Sequence, residues 1–318
     1  MKKIILISGD PNSINSELIY KSLKKIKKNI KNKIYLISNY KLLNFQLKKL
    51  KYNLKISQVK NLYQKRNNNS IKIIDIKLKN TNSFKVKKKL ASDYVIKCLD
   101  AAHNLARNEK DISLINCPIS KGLLKKQKEG VTEYFSNKSN IHDDSVAMLI
   151  FNEKLSVCPI TTHIDINEIK KKLKKDIIIK KVKTIDKWFK NKFKKKPKIG
   201  ILGLNPHNAE LRNNSEEKKI IIPAIKKLIK IGISIKGPLV ADTVFINDFK
   251  KYDVIVGMYH DQVIAPFKTM FKFNAINVTL GLKYTRVSPD HGVATNLIGG
   301  KKANPESLIK CINFANKY

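Results

Sequence analysis

One kind of segment recurs along this chain and limits what it can fold into: a short apolar run that empties into a cluster of polar, ligand-capable residues. Asp253–Gly257 delivers Tyr259, His260, Asp261 and Gln262. Lys198–Leu202 ends at Gly203-Leu204-Asn205-Pro206-His207, and Leu155–Pro159 leads to Thr161-Thr162-His163. Lys3–Ser8 stops at Gly9-Asp10-Pro11, Asp111–Asn116 stops at Cys117-Pro118, and Ala275–Leu280 carries Asn277. Such runs read as buried strands, and polar strand ends are where open α/β sheets present their chemistry. Lys33–Ser38 and Ile71–Ile76 add two more strands.

Between the runs lie helical patterns: Ser16–Lys27 with Leu18, Ile19, Leu23 and Ile26 on one face, and Val86–Ala106. A lysine-rich helix carries Ile178, Val182, Ile185 and Phe189 at the spacing of a core-facing stripe. Ser215 caps a helix to about Lys230. Asp143–Phe151 reads as helix, Asp165 with Glu168 as a capping box that opens another, and Ile231–Ile235 as a strand ending at Gly237-Pro238. Leu42–Asn69 is rich in Lys and Asn and carries little pattern; its end, Arg66-Asn67-Asn68-Asn69-Ser70, reads as loop. Strands alternating with helices predict a parallel sheet covered on both faces.

A chain of 318 residues can hold two domains. Its charge is unusual: 65 Lys+Arg against 25 Asp+Glu, or +40. A basic balance raises nucleic-acid or anionic-membrane binding. Here the lysines are dispersed, and lysine, asparagine and isoleucine are inflated together, as AT-rich codon drift produces. A charge so poorly focused predicts neither a nucleic-acid nor a membrane partner. Cys98, Cys117, Cys158 and Cys311 form no CxxC pair, which predicts free thiols in a reducing, cytoplasmic setting. The apolar run at the N-terminus is too short for a signal peptide, and no run approaches the roughly 20 residues of a membrane helix.

His163, His207 and His260 each follow a strand end, and the chain has six histidines. Three imidazoles with an open position make a catalytic metal site; any one of them taken alone reads first as an ordinary surface or core histidine. Lys268, Asn277 and Arg286 offer charge and bidentate geometry for a phosphate. Asn277 is the least expected of these, because it interrupts an apolar strand.

MYHDQ at His260, NVTLGL at Asn277, the downstream Arg286 and DHGVA at His291 resemble the 4-hydroxythreonine-4-phosphate dehydrogenase family of vitamin B6 biosynthesis. THI at His163, GLNPHNAE at His207 and GPLVADTVF at Asp242 extend the resemblance over essentially the whole chain. It implies a three-histidine divalent metal site (zinc first, cobalt or magnesium as alternatives) and phosphosubstrate contacts at Thr132, Lys268, Asn277 and Arg286. It implies that Asp290-His291-Gly292-Val293-Ala294 packs against the adenosine of NAD or NADP, with His291, Gly292 and Ala294 in contact. Lys121 would act in electrostatics or proton transfer, with a solvated surface lysine as the alternative. Asp242 would act as general base or orient a ligand histidine, with a helix cap as the alternative. Two departures stand out. Val131 replaces a histidine of the family's substrate motif, where Lys125, Lys126 or Lys128 could supply the missing charge. Asn12-Ser13-Ile14-Asn15 lacks the family's glycines after Gly9-Asp10-Pro11.

The fold implied is α/β, with two α/β/α domains flanking a cleft as in isocitrate and isopropylmalate dehydrogenases. Residues 1–129 with 291–318 would form one domain, and 130–290 the metal and substrate domain. The activity implied is NAD-dependent oxidation of 4-phosphooxy-L-threonine by a homodimer with shared active sites. A related dehydrogenase of threonate or erythronate 4-phosphate is the near alternative. A basic nucleic-acid-binding protein that has lost catalysis is the distant one.

Overall fold

The computed structural model describes residues 2–64, 70–79, 82–124, 130–141 and 145–318. Two compact units emerge: residues 1–138 with 283–318, and residues 139–282. Residues 130–138 and 283–290 thus fall with the termini.

In the first unit the strands are β1 (Lys3–Ile7), β2 (Ile34–Ser38), β3 (Ile56–Gln58), β4 (Ile71–Asp75) and β5 (Ile112–Asn116). The second unit holds β6 (Ala147–Phe151), β7 (Ser156–Pro159), β8 (Ile199–Leu202), β9 (Ile235–Leu239), β10 (Val254–Gly257) and β11 (Ile276–Leu280). The chain then returns to the first unit with β12 (Thr285–Pro289).

The first unit orders its strands β3-β4-β2-β1-β5-β12, each parallel to its neighbours within the unit. The central strands IYLIS and ISLIN are buried at every residue. Unbroken burial requires cover on both faces, which is why these strands are continuous apolar runs rather than alternating ones. One covering helix, Lys88–Asn108, buries Ala91, Tyr94, Val95, Cys98, Leu99, Ala102 and His103. These positions recur every three or four residues, one helical stripe. Tyr94 ties strand ends together: its hydroxyl is 3.0 Å from Ser8 Oγ and 3.1 Å from Ser38 Oγ, and accepts from Asn39 N–H.

The second unit orders its strands β11-β6-β7-β10-β8-β9. Here the wholly parallel expectation fails. β6 runs antiparallel to both β11 and β7, while β7, β10, β8 and β9 are mutually parallel. Asp143–Phe151 was expected to be helix; within its described part Ala147–Phe151 is strand β6. The apolar AMLIF is short enough to serve either, and pairing with β11 and β7 decides it.

Other segments depart from the local expectations or fill what the pattern left open. Tyr40–Lys49 is a helix, its N-terminus satisfied by Asn39, whose side chain accepts from Leu42 N–H at 2.8 Å. Residues 65–69 of the expected loop lie outside the described residues. Ile231 closes a helical turn, Gly232 turns the chain at φ +80°, and the strand begins only at Ile235. The Asp165 capping box does not form: no side chain caps the helix Ile166–Lys172. Ser215 does cap, accepting from Lys218 N–H at 3.2 Å. All four cysteines are free and buried.

Candidate active site

Asn116, His163, His207 and His260 lie at or just past the carboxyl ends of parallel strands, where the chain leaves the sheet, while Arg286 and Asn277 lie near the amino ends of β12 and β11. The polar groups of the two units differ in construction.

In the first unit β5 ends in Asn116 and β12 carries Arg286. Arg286 is 2 % exposed, so its cation is held in the core. Its Nε and Nη2 donate to Asn116 Oδ1 at 2.9 and 2.6 Å, and Nη1 donates to Thr132 Oγ1 at 3.1 Å. The guanidinium carbon lies 5.9 Å from the centroid of the Phe135 ring. Burial lowers its pKa to about 10, still well above neutrality, so the charge persists. Two residues expected on the substrate, Thr132 and Arg286, are therefore joined directly. Asn116, their common organiser, was quoted only as part of a strand-end motif; its signal was a polar residue closing an apolar run.

Thr132 lies in the first turn of the helix Val131–Lys138. Gly130 N–H donates to Glu133 at 2.9 Å and fixes that turn. Val131, at the start of this helix, is half-buried. Lys125, Lys126 and Lys128 lie outside the described residues. Lys121 is exposed on the short turn Lys121–Leu123.

The Asp290–Ala294 loop follows β12. Ser307 Oγ accepts from Asp290 N–H at 3.2 Å and lies 3.1 Å from Asp290 Oδ1. Ala294 takes a left-handed conformation, φ +45°. A Cβ built on Gly292 would meet nothing within 4 Å, so the backbone there is open to a ligand. His291, with Nδ1 3.0 Å from Gly292 O, folds over the loop. An accessible glycine beside an imidazole suits packing against a flat ring system.

In the second unit His163 follows β7, His207 follows β8, and His260 opens the helix His260–Phe271 after β10. The His163 and His260 rings lie 5.7 Å apart between centroids. His260 Nδ1 is 2.7 Å from Asp261 Oδ1, which leaves Nε2 as the donor nitrogen. His207 stands with Asp242 instead: Nε2 is 3.6 Å from Oδ2, in side chains 72 % and 61 % exposed. Among the described residues no three His, Cys, Asp or Glu gather closely enough to hold a metal ion. The chain brings two of the three expected ligands together and not the third. In kind the donors fit a divalent metal: imidazoles, two of them beside carboxylates that can fix the ring.

His207 opens a turn in which His207, Asn208, Ala209, Glu210 and Leu211 all have positive φ, between +47° and +58°. Left-handed backbone costs roughly 1–2 kcal/mol per non-glycine residue. The root of this turn is clamped by Glu217, whose Oε1 accepts from Leu204 N–H and Asn205 N–H, both at 2.8 Å. Glu217 is fully buried. Burial works to raise its pKa, but the hydrogen bonds from Asn205 and its neighbours prevail and hold the carboxyl below its ordinary value.

Lys268 lies on the helix His260–Phe271, with Nζ 6.0 Å from the Phe273 ring. Asn277 faces Ile150 across the β11–β6 pair. Its Oδ1 is buried with no hydrogen-bond partner among the described residues. Such an orphaned acceptor costs about 1–3 kcal/mol, so a ligand that donates to it gains correspondingly.

Comparison with known proteins agrees with this architecture. The family model described as pyridoxal phosphate biosynthetic protein PdxA matches residues 14–315. A 4-hydroxythreonine-4-phosphate dehydrogenase of Sulfurihydrogenibium sp. (strain YO3AOP1) is 37 % identical over 99 % of this chain and 98 % of its own. A D-threonate 4-phosphate dehydrogenase of Pectobacterium atrosepticum is 31 % identical over 77 % of each chain. The crystal structure of 4-hydroxythreonine-4-phosphate dehydrogenase from Klebsiella pneumoniae superposes with a TM-score of 0.85 at 28 % identity, covering 99 % of both chains. Isocitrate dehydrogenase of Methylococcus capsulatus shares the fold at a TM-score of 0.50 and 10 % identity, covering 99 % of this chain and 88 % of that one. Among the described residues no helix is long and apolar enough to cross a membrane.

Proposed function

The chain belongs to the family of the pyridoxal phosphate biosynthetic protein PdxA, and from that premise we propose that it oxidises 4-phosphooxy-L-threonine with NAD or NADP. The observation that carries the reading is the match along essentially the whole chain to dehydrogenases of this substrate. The buried Asn116–Arg286–Thr132 network supports it, because a small phosphorylated substrate calls for a fixed cation.

Arg286, charged and immobilised, offers that cation to the phosphate; Thr132 adds a hydroxyl and Lys268 a second charge. Asn277 accepts from a donor on the substrate. His163, His207 and His260 would hold a divalent metal, zinc before cobalt or magnesium, in a homodimer whose two chains would share the active sites. When bound, the metal supplies Lewis acidity and the nicotinamide supplies the hydride acceptor. Asp242 or Lys121 would take the proton of the C3 hydroxyl as C3 is oxidised, the dinucleotide being the two-electron acceptor. The product is a β-keto acid. Loss of its carboxylate as carbon dioxide, with a proton added to the carbon that bore it, leaves 3-amino-2-oxopropyl phosphate. The Asp290–Ala294 loop, through His291, Gly292 and Ala294, receives the adenosine. A cytoplasmic location accords with the four free cysteines.

A second reading, a dehydrogenase of D-threonate 4-phosphate, draws on the Pectobacterium relative and on Val131, which cannot donate a hydrogen bond. The test is reduced-cofactor formation by the purified protein with each substrate. Turnover of 4-phosphooxy-L-threonine at a kcat/KM well above that of D-threonate 4-phosphate supports the first reading; the reverse order selects the second. Inactivity with both contradicts the two together.

A further inference from the structure

The loops that carry His163, His207 and His260 are joined through the backbone of a single residue, Met258. The Met258 carbonyl, just past β10, accepts from Thr161 N–H at 3.1 Å and from Thr161 Oγ1 at 2.7 Å, which anchors the segment that leads to His163. The Met258 N–H donates to Gln262 Oε1 at 2.7 Å. Gln262 Nε2 in turn donates to the Gly203 carbonyl at 2.7 Å. Gly203 is the first residue after β8, four residues before His207. One amide side chain thus bridges the strand end that carries His260 to the root of the loop that carries His207.

The surrounding backbone leaves this bridge little freedom. A Cβ on Gly257 would fall 3.0 Å from Gln262 Oε1 and 2.5 Å from Val263 Cγ1. A Cβ on Gly203 would fall 2.1 Å from Asn208 Oδ1. Beyond Gly203, Glu217 holds the next two amides. The loop root is therefore fixed on one side by Glu217 and on the other by Gln262, while the left-handed turn beyond it is costly.

We propose that Gln262 is a positioning residue: by joining Met258 N–H to the Gly203 carbonyl it sets the His207 loop in register with His260. The proposal rests on the reading of these two histidines as metal ligands. The bridge requires an acceptor and a donor at the end of one side chain. Glutamine has both, glutamate at neutral pH only accepts, and methionine of similar length does neither. Residues that orient metal ligands typically change metal affinity about 10- to 100-fold when altered.

The experiment measures zinc affinity by competition with a chromogenic chelator for wild type, Q262E, Q262M, H207A and H207A/Q262E. Thermal unfolding of each metal-free protein verifies folding. Q262E keeps the Met258 bond but sets a carboxylate oxygen against the Gly203 carbonyl. The expected result is zinc binding weakened about 10-fold or more by Q262E and by Q262M, and weakened by H207A. Placed on H207A, Q262E should add less than about 2-fold, because the two changes act through one loop. Wild-type zinc affinity in both Gln262 variants overturns the proposal. So do penalties that simply multiply in the double variant, because Gln262 would then act independently of His207. Wild-type affinity in H207A removes His207 from the ligand set; that failure belongs to the proposed function and takes the proposal down with it.

Discussion

Arg286 and His207 are both ligand-type side chains beside the carboxyl end of a parallel strand, yet they are built in opposite ways. Arg286 is 2 % exposed and locked by Asn116 and Thr132. The His207 side chain is 72 % exposed, on backbone that five successive left-handed residues make costly. The first is assembled by folding itself, because a buried cation must be satisfied before the core closes. The second leaves its donor nitrogens accessible, because a ligand that must meet a metal cannot be consumed by the core. Changes at Arg286 should therefore cost stability and activity together, and changes at the histidines should cost activity alone.

The sharpest break between the two is expected at the ligands. His163→Ala, His207→Ala or His260→Ala should lower kcat/KM by on the order of 10³-fold, since Lewis-acid stabilisation is worth several kcal/mol. Metal content should fall while the metal-free melting temperature stays near wild type. Wild-type turnover with stoichiometric metal in any one variant removes that histidine.

Next in size is Arg286→Lys. Lysine keeps the charge but cannot bridge Asn116 and Thr132 as a fork. A loss on the order of 1–3 kcal/mol in transition-state binding is expected. Unlike the histidine variants, it should also lower the melting temperature. Unchanged stability with reduced activity would mean that Arg286 serves the ligand alone.

Ala209→Gly sharpens the comparison from the other side. Ala209 sits at φ +50°, where glycine is unstrained, so the change should stabilise the protein by about 1 kcal/mol. Denaturant melts check this; a destabilised protein would show that the turn is not strained.

The smallest effect concerns Glu217, the clamp behind His207. Its folded pKa lies below the ordinary value of 4.5. Its ionised form is thus favoured by folding. That contribution is fully present above pH 4.5 and is lost as the pH falls through the lower, folded pKa. Wild type should lose more stability than Glu217→Gln on acidification below about pH 4.5. Parallel pH–stability curves would contradict the clamp.

The sequence made some of this legible for physical reasons. The continuous apolar strands and the long helix expected over Val86–Ala106 rest on periodic signals and appear, the helix as Lys88–Asn108. The three histidines were visible because each follows such a run. β6 was not, because five apolar residues fit either period and the decision lies in pairing with β11 and β7. The burial of Arg286 was equally hidden. One arginine among 65 basic residues carries no local mark, and its partner Asn116 lies 170 positions away. Gln262 was quoted within its motif, but its bond to Gly203 spans 59 residues and exists only once β8 and β10 lie side by side.

The most direct test of the whole account follows NADH absorbance with purified protein and 4-phosphooxy-L-threonine, before and after metal is stripped with a chelator and restored. The account predicts NADH formation that stops on stripping and returns with added zinc or cobalt, accompanied by release of carbon dioxide. Turnover that survives complete metal removal would contradict the role given to His163, His207 and His260, and absence of NADH formation under every metal would contradict the dehydrogenase itself.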